Sequence, residues 1–176
     1  MTTPQDISRY SVFEKLRDGR VIEIRAITPN DRSQMLDLIG KSSKDSFYRR
    51  FFSAKRNLQD SEIDSYFDID FVNHVALVAV LEEAGQSIIT GGGRFIVEKP
   101  GTAEIAFGVG DAFQGQGIGS ALMRRLVAIA RSLGISVLHA EVLSGNTSML
   151  KVFEKSGLAV SRARDFETVH VTLRLQ

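Results

Sequence analysis

EIAFGVGDAFQGQGIGSAL, residues 104–122, reads as a strand, a glycine-rich turn and the first turns of a helix. Glycines in such a turn free backbone N–H groups to face an anion, and the helix N-terminus adds a favourable dipole. A phosphate-bearing ligand is the natural occupant; a tight turn with close strand–helix packing is the competing, purely structural reading. Ten of the fifteen glycines lie between Gly85 and Gly119, so the turn sits in the most glycine-dense part of the chain. Two nucleotide patterns are excluded. Gly119 is followed by Ser120 with no lysine, which fails the P-loop pattern. Counted from Gly115 and Gly117, the third position of a dinucleotide fingerprint falls on Ser120, and only 57 residues follow Gly119, short for the long parallel fold it opens.

Beyond the turn, Ile118, Leu122, Leu126, Ile129 and Leu133 recur at helical spacing, with Arg124, Arg125 and Arg131 between them. Gly134 supplies the stop. SVLHAEVL (136–143) then reads as a strand and NTSMLKVFEKSG (146–157) as a short helix. LAV (158–160) and TVHVTLRL (168–175) read as closing antiparallel strands. Before the turn, HVALVAVL (74–81) is a buried strand and SIITGGGRFIVE (87–98) a strand with a glycine-weakened start. SVFEKL (11–16) and VIEIRAI (21–27) flank Arg17-Asp18-Gly19-Arg20, a hairpin signal. Thr28-Pro29-Asn30-Asp31 starts a helix that runs into RSQMLDLIG, and residues 45–52 and 61–67 read as short helices with aromatic inner faces. Hairpins first and a strand–helix–strand–helix unit later argue for an α+β fold. Its central sheet is expected to be mixed, mostly antiparallel and flanked by helices.

At roughly 150 residues per domain, 176 residues are expected to form one domain, residues 1–176. With 43% hydrophobic residues and a net charge of +1, the composition is that of a globular protein and excludes the disordered class. No apolar run is long enough for a transmembrane helix, and MTTPQDISRY lacks the layout of a signal peptide, so a soluble, cytoplasmic protein is expected. The absence of cysteine removes disulfides, thiolate metal sites and a cysteine nucleophile. His74, His139 and His170 fall on separate strands without metal-ligand spacing, so no metal is expected. Tyr48, Phe51 and Phe52 beside Arg49 and Arg50 read as core aromatics on an amphipathic helix; near-neutral charge argues against nucleic acid. The charge is divided, however: residues 1–60 carry 12 basic and 8 acidic side chains, residues 61–110 carry 2 and 8, and residues 111–176 carry 8 and 5.

Gln114-Gly115-Gln116-Gly117-Ile118-Gly119 fits the pattern Q/R-x-x-G-x-G/A and resembles the acyl-coenzyme A pyrophosphate loop of the GNAT superfamily of N-acetyltransferases. A hydrophobic strand before it, a long amphipathic helix after it and Asn146-x-x-Met149 beyond strengthen the likeness. From about Leu16 to Val160 the chain resembles the acetyltransferase domain of bacterial Pat-type protein lysine acetyltransferases. LRDGRVIEIRAITPNDR, SKDSFYRRFFS, the Asp68-Ile69-Asp70 turn and AEVLSGNTSMLKVFEKSGL carry that likeness. Relatives of that type often join this domain to a synthetase-like or cyclic-nucleotide-binding module, and neither is expected within 176 residues. The resemblance implies acetyl-CoA as cosubstrate, held at its pyrophosphate by Gln114, Gly115, Gln116, Gly117, Ile118, Gly119 and Ser120. It implies that backbone groups of Phe107 and Val109 align the pantetheine arm, with the Val109 N–H polarising the thioester oxygen. It also implies a bulge in the strand before the turn. Asn146 contacts the same arm by resemblance; capping the helix that starts at Thr147 is its other reading. Arg124 and Arg125 read as solvated helix arginines, with the cofactor 3′-phosphate as their alternative.

Transfer of acetyl to a lysine needs the neutral amine, which at pH 7 lies about 4.6 kcal/mol uphill of the ammonium. A nearby carboxylate is the economical remedy. On an ideal strand Glu104, Ala106 and Gly108 share one face and Ile105, Phe107 and Val109 the other, which leaves Glu104 beside small residues over a potential groove. Ala103-Glu104-Ile105-Ala106 also resembles the Pat-type position of the general base. Glu141 is the competing carboxylate, read as structural in mid-strand. Where many relatives place a tyrosine acid this chain has Phe153, and Ser148 is one substitute. Without cysteine or a G-x-S-x-G turn, direct transfer is favoured over an acyl-enzyme. A protein substrate presenting a lysine is the acceptor implied by resemblance. A small-molecule amine, or a non-catalytic acyl-CoA sensor, are the alternatives. The run Glu62, Asp64, Asp68 and Asp70 is a candidate attractor for a cationic acceptor.

Overall fold

The computed structural model describes residues 2–41, 64 and 67–176. Helix α1 (Pro4–Ser8) precedes strands β1 (Ser11–Lys15) and β2 (Val21–Ala26), which form the expected hairpin. A 3-10 turn (Pro29–Asp31) leads into α2 (Arg32–Lys41). Strands β3 (His74–Glu83), β4 (Gln86–Lys99) and β5 (Thr102–Val109) follow as a meander. Helix α3 (Ile118–Ser132) crosses to β6 (Val137–Leu143), and α4 (Thr147–Glu154) leads to the hairpin β7 (Ala159–Asp165) and β8 (Thr168–Arg174). The short helices expected at 45–52 and 61–67 lie, but for Asp64 and Phe67, outside the described residues.

The eight strands form one sheet in the order β1-β2-β3-β4-β5-β6-β8-β7, antiparallel except between β5 and β6. That parallel pair needs a crossover, and the amphipathic α3 supplies it. Its buried stripe of Leu122, Leu126 and Ile129 packs on the face bearing Leu77, Phe95, Ile105 and Phe107. The opposite face carries a smaller cluster in which Met35 of α2 meets Ala76, Val78 and Val80. With core on both sides, β3 is buried from His74 to Leu81, as its unbroken apolar run required. Helix α2 starts on a capping box in which the Asp31 carboxylate accepts from the Thr28 N–H at 2.7 Å. Arg25 of β2 grips the same carboxylate with two bonds of 2.8 Å. Burial alone would raise the Asp31 carboxyl; the Arg25 fork and the Thr28 amide outweigh it and hold it below its ordinary value.

Gly91-Gly92-Gly93 lies in the middle of β4, not at a weakened start, because close packing from three directions requires it. A Cβ on Gly91 would meet the Gly108 carbonyl at 2.7 Å, and one on Gly93 would meet Leu126 and Phe107 at 2.8 Å each. A Cβ on Gly92 would press on Met35 of α2 at 3.0 Å. Just before the triplet the register shifts between Ala79 and Val80, leaving Thr90 as an extra residue on β4. By contrast, β5 keeps a continuous register against β4 from Ala103 to Val109. The irregularity beside the turn therefore belongs to the neighbouring strand, and β5 keeps its alternation. Gly93→Ala is expected to cost about 1–3 kcal/mol through overpacking against α3. Gly145→Ala, where a Cβ meets nothing within 4 Å, is expected to stay within about 0.5 kcal/mol of the parent. Thermal denaturation of the two variants measures the contrast.

Candidate active site

Strands β5 and β6 are paired only over Thr102–Val137, Ala103–Leu138 and Glu104–His139. Beyond Glu104 they part: β5 stays with β4 to Val109 and β6 stays with β8 to Leu143. The Gly110 N–H donates to the Thr90 carbonyl on the β4 side at 2.8 Å. Since backbone groups alternate along a strand, the N–H groups of Val109 and Phe107 point to the other edge, into the gap. A notch of about 20 Å³ opens there. Ala106 and Glu141 line it from one face of the sheet, and Phe107, Asn146 and Phe153 from the other.

On the α3 side the notch is followed by a cavity of about 210 Å³ that includes Phe107, Val109 and the turn from Gln114 to Ser120 except Gln116. Gly115 and Gly117 have φ of 76° and 93°, left-handed values that favour glycine. Gly117 is the N-cap of α3 and provides no side-chain acceptor, so the amides of Ile118, Gly119 and Ser120 head the helix without a side-chain cap. Uncapped amides at a helix head are the donors that an anion cradle requires. The Gln114 side chain folds back onto the Val109 carbonyl at 3.3 Å and Asp111 at 3.2 Å, bracing the loop. Gln116 turns outward, its side-chain carbonyl accepting from Arg20 of the β1–β2 hairpin. Arg17, Lys151 and Lys155 also line the cavity, with no acidic side chain among its walls.

Asn146 caps α4: its Oδ1 accepts from the Met149 N–H and the Ser148 hydroxyl, both at 3.2 Å. Its Nδ2 is buried and has no hydrogen-bond partner among the described residues. Both readings of this residue are thus compatible, since the oxygen serves the helix and the nitrogen remains a donor at the notch. Phe153 is 2% exposed and meets the Phe107 ring edge-on, centroids 5.4 Å apart. Arg124 and Arg125 both grip Glu14 of β1, Arg124 at 2.6 Å and Arg125 at 2.5 Å, with the Arg124 side chain still 62% exposed.

Glu104 sits half-buried where the two strands part, with no hydrogen-bond partner among the described residues. Burial pushes its carboxyl upward, the nearby Glu141 and Glu98 push the same way, and Arg94 and His139 oppose them. Register puts Glu104, His139 and Thr172 in one row across the sheet, with Glu141 and His170 in a neighbouring row. Glu141 is exposed and 3.5 Å from the His170 ring, so its expected structural role in mid-strand is replaced by a place on this open shelf. His74, nearby, is pushed down to about 4 by burial and Arg94 and carries no charge at neutral pH. The acidic run proposed as an attractor is engaged locally. Asp70 accepts the N–H groups of Val72, Asn73 and His74, and Asp64 pairs with Arg32. Glu62 lies outside the described residues.

Sequence reasoning missed Arg17, Lys151 and Lys155. The lysines had a signal, an i,i+4 spacing that puts both on one side of α4; Arg17 had none, since a long-range contact brings it in.

The sequence model of the acetyltransferase (GNAT) family matches residues 43–158. The chain belongs to that family. Acetyltransferase Pat of Mycolicibacterium smegmatis is 32% identical over 145 residues, which are 81% of this chain and 43% of that protein. The chain therefore spans less than half of that relative's length. Acetyltransferase PA5475 of Pseudomonas aeruginosa is 28% identical over 178 residues, 96% of each chain. The crystal structure of the GNAT domain of S. lividans PAT superposes with a TM-score of 0.79 at 31% identity, covering 93% of this chain and 96% of that one. The mixed, mostly antiparallel sheet flanked by helices is the GNAT fold.

In this GNAT chain the two halves of the Asn146 amide can be separated experimentally. Asn146→Asp keeps the cap oxygen and removes the buried donor, whereas Asn146→Ala removes both. The alanine variant is expected to lose about 1 kcal/mol of stability with the cap. The aspartate variant is expected to keep the cap but bury an unpartnered carboxylate oxygen, at a cost that fades as pH falls. Thermal denaturation across pH separates the two.

Proposed function

We propose that this protein is an acetyl-CoA-dependent N-acetyltransferase that transfers acetyl directly to an amine, the acceptor being a lysine presented by a protein. The observation that carries the reading is the continuity of the site. The cavity at the head of α3 and the notch between the parted strands share Phe107 and Met149, and the half-buried Glu104 stands where those strands part. A ligand with an anionic head and a long thin arm fits that path; acetyl-CoA has both.

In this reading the amides of Gly115 through Ser120 hold the pyrophosphate, with Lys151 and Lys155 adding charge. The Phe107 and Val109 backbone groups in the gap align the pantetheine arm, and the Asn146 Nδ2 donates to one of its carbonyls. The Val109 N–H stabilises the oxyanion formed as the amine attacks the thioester. Glu104 takes the proton from the incoming ammonium; its raised carboxyl narrows the gap between base and acceptor. Phe153 offers no proton at the leaving sulfur. The nitrogen is cationic after attack, so it carries the proton that balances the departing thiolate, and no separate side-chain acid is needed.

The shelf around Glu104 supports the protein acceptor. Glu141 and His170 are about half exposed, their side chains at 56% and 46%, so that side is open among the described residues. A lysine on a bulky surface can reach such a shelf, and Glu141 adds a second negative charge for its ammonium. The resemblance to Pat-type lysine acetyltransferases supports the same choice.

Acetyl transfer from acetyl-CoA to a protein pool is expected to exceed transfer to a panel of polyamines, amino acids and aminoglycosides; the reverse order would assign a small-molecule acceptor. Glu104→Gln is expected to lower kcat/KM by about 10²–10⁴. The parent's rate should fall as pH drops through the raised carboxyl pKa, and that limb should vanish in the variant. Because a carboxyl raised on folding binds its proton more readily in the folded state, it loses stability as pH rises past its unfolded value. Glu104→Gln should therefore match or exceed the parent in Tm at pH 7 and lose that advantage near pH 4.

A further inference from the structure

The first hairpin lies outside the glycine-turn pattern, yet it is fastened to that turn and the helix behind it at two points. At its near end Glu14 of β1 takes Arg124 and Arg125 of α3. At its far end the Arg20 guanidinium donates to the Gln116 side chain in the middle of the glycine turn. Arg20 is itself aimed: its Nε meets Asp18 at 2.8 Å and another nitrogen reaches Glu83 at 3.5 Å. The tip is tight, with the Leu16 N–H on the Arg20 carbonyl at 2.7 Å and Gly19 at a φ of 92°. Between the two fastenings stands Arg17, exposed, without an acidic partner among the described residues, on the wall of the 210 Å³ cavity. Asp18 of the same tip is engaged with Arg20, its carboxyl held below the ordinary value by the Arg20 N–H and side chain despite some desolvation.

We propose that the hairpin tip is part of the cofactor site: Arg17 is a ligand of the pyrophosphate, and Arg20 is a positioning residue that holds the glycine turn through Gln116. The inference rests on the acetyl-CoA reading above and adds the source of a third wall. The amides of the turn and the cations of α4 approach a bound diphosphate from two sides. An arginine from the hairpin approaches from a third, with the planar fork that suits phosphate oxygens. The positive charge of residues 1–60 thus joins that of residues 111–176 at one ligand.

The test uses the full chain with three acetyl donors: acetyl-CoA, acetyl-dephospho-CoA and acetyl-pantetheine, the last lacking the diphosphate. Arg17→Gln is expected to raise the KM for both phosphorylated donors about five- to tenfold, with kcat within twofold. Its KM for acetyl-pantetheine should stay at the parent value. An unchanged KM for acetyl-CoA overturns the role of Arg17. A penalty that vanishes with acetyl-dephospho-CoA overturns the pyrophosphate assignment and moves Arg17 to the 3′-phosphate. For Arg20, the double variant Arg20→Gln with Gln116→Ala should have the same KM for acetyl-CoA as either single variant, since both break one link. Additive penalties overturn the positioning role. Thermal melts should show all these tip variants folding as the parent does. If the parent itself takes acetyl-pantetheine as well as acetyl-CoA, the acetyl-CoA reading fails, a result separate from any Arg17 effect.

Discussion

The parting of β5 from β6 after Glu104 is the constraint on which the rest of the structure depends. A sheet gains by continuing its ladder, and an open pair of edges inside a protein leaves backbone donors without partners. The separation persists because each strand is committed to its outer neighbour. β5 is held along its length by β4 and β6 by β8, and the Phe107–Phe153 contact packs beside the opening. The glycine triplet of β4 lets α3 press closely onto the β4–β5 half. Each feature alone is ordinary packing. Together they hold open a gap whose edge amides, buried Asn146 nitrogen and half-buried Glu104 all want something that the chain does not supply.

Charge is arranged around that gap more sharply than a net +1 conveys. On the α3 side, Lys151 and Lys155 make no ion pair among the described residues at the glycine turn, while Arg124 and Arg125 share the single Glu14 carboxylate and hold the hairpin in place. On the far side, Glu104 and Glu141 lie near one another, and burial first, then the Glu141 charge, makes Glu104 harder to ionise. Such a pair is unfavourable in the resting protein and is relieved by a cation, so the shelf is poorer in energy empty than filled. Of the other acidic residues, Glu98 adds to the same shift. Asp70 closes a turn and Asp64 pairs with Arg32, which leaves the attraction local.

Most of the architecture was legible because its signals are local. Apolar periodicity marked α3, unbroken apolar runs marked β3, and Asp-Gly marked the first hairpin. Alternation along β5 put Glu104 opposite Ile105 and Phe107, and it held because the irregular residue is Thr90 on the adjacent strand. What the sequence did not disclose is set by register and by contacts across the chain. Nothing local tells that Glu141 ends beside His170. Nor does anything local show that Arg124 and Arg125 meet an acid 110 positions away. The short α1 also went unread: five residues carry no period, and only the Thr3 capping box marks it.

The same distinction explains why the cofactor half of the site reads more clearly than the acceptor half. Phosphate recognition uses backbone amides, so it imposes glycines at fixed spacing and leaves a pattern in the chain. The shelf beside Glu104 is built from side chains of β5, β6 and β8 at positions related only by strand pairing. Any polar residue compatible with a strand can occupy them, and none is marked by its neighbours in sequence. A family built this way can keep one loop and one carboxylate while exchanging the shelf around them. Specificity for the amine is then a property of the sheet's face, and only the fold brings that face together.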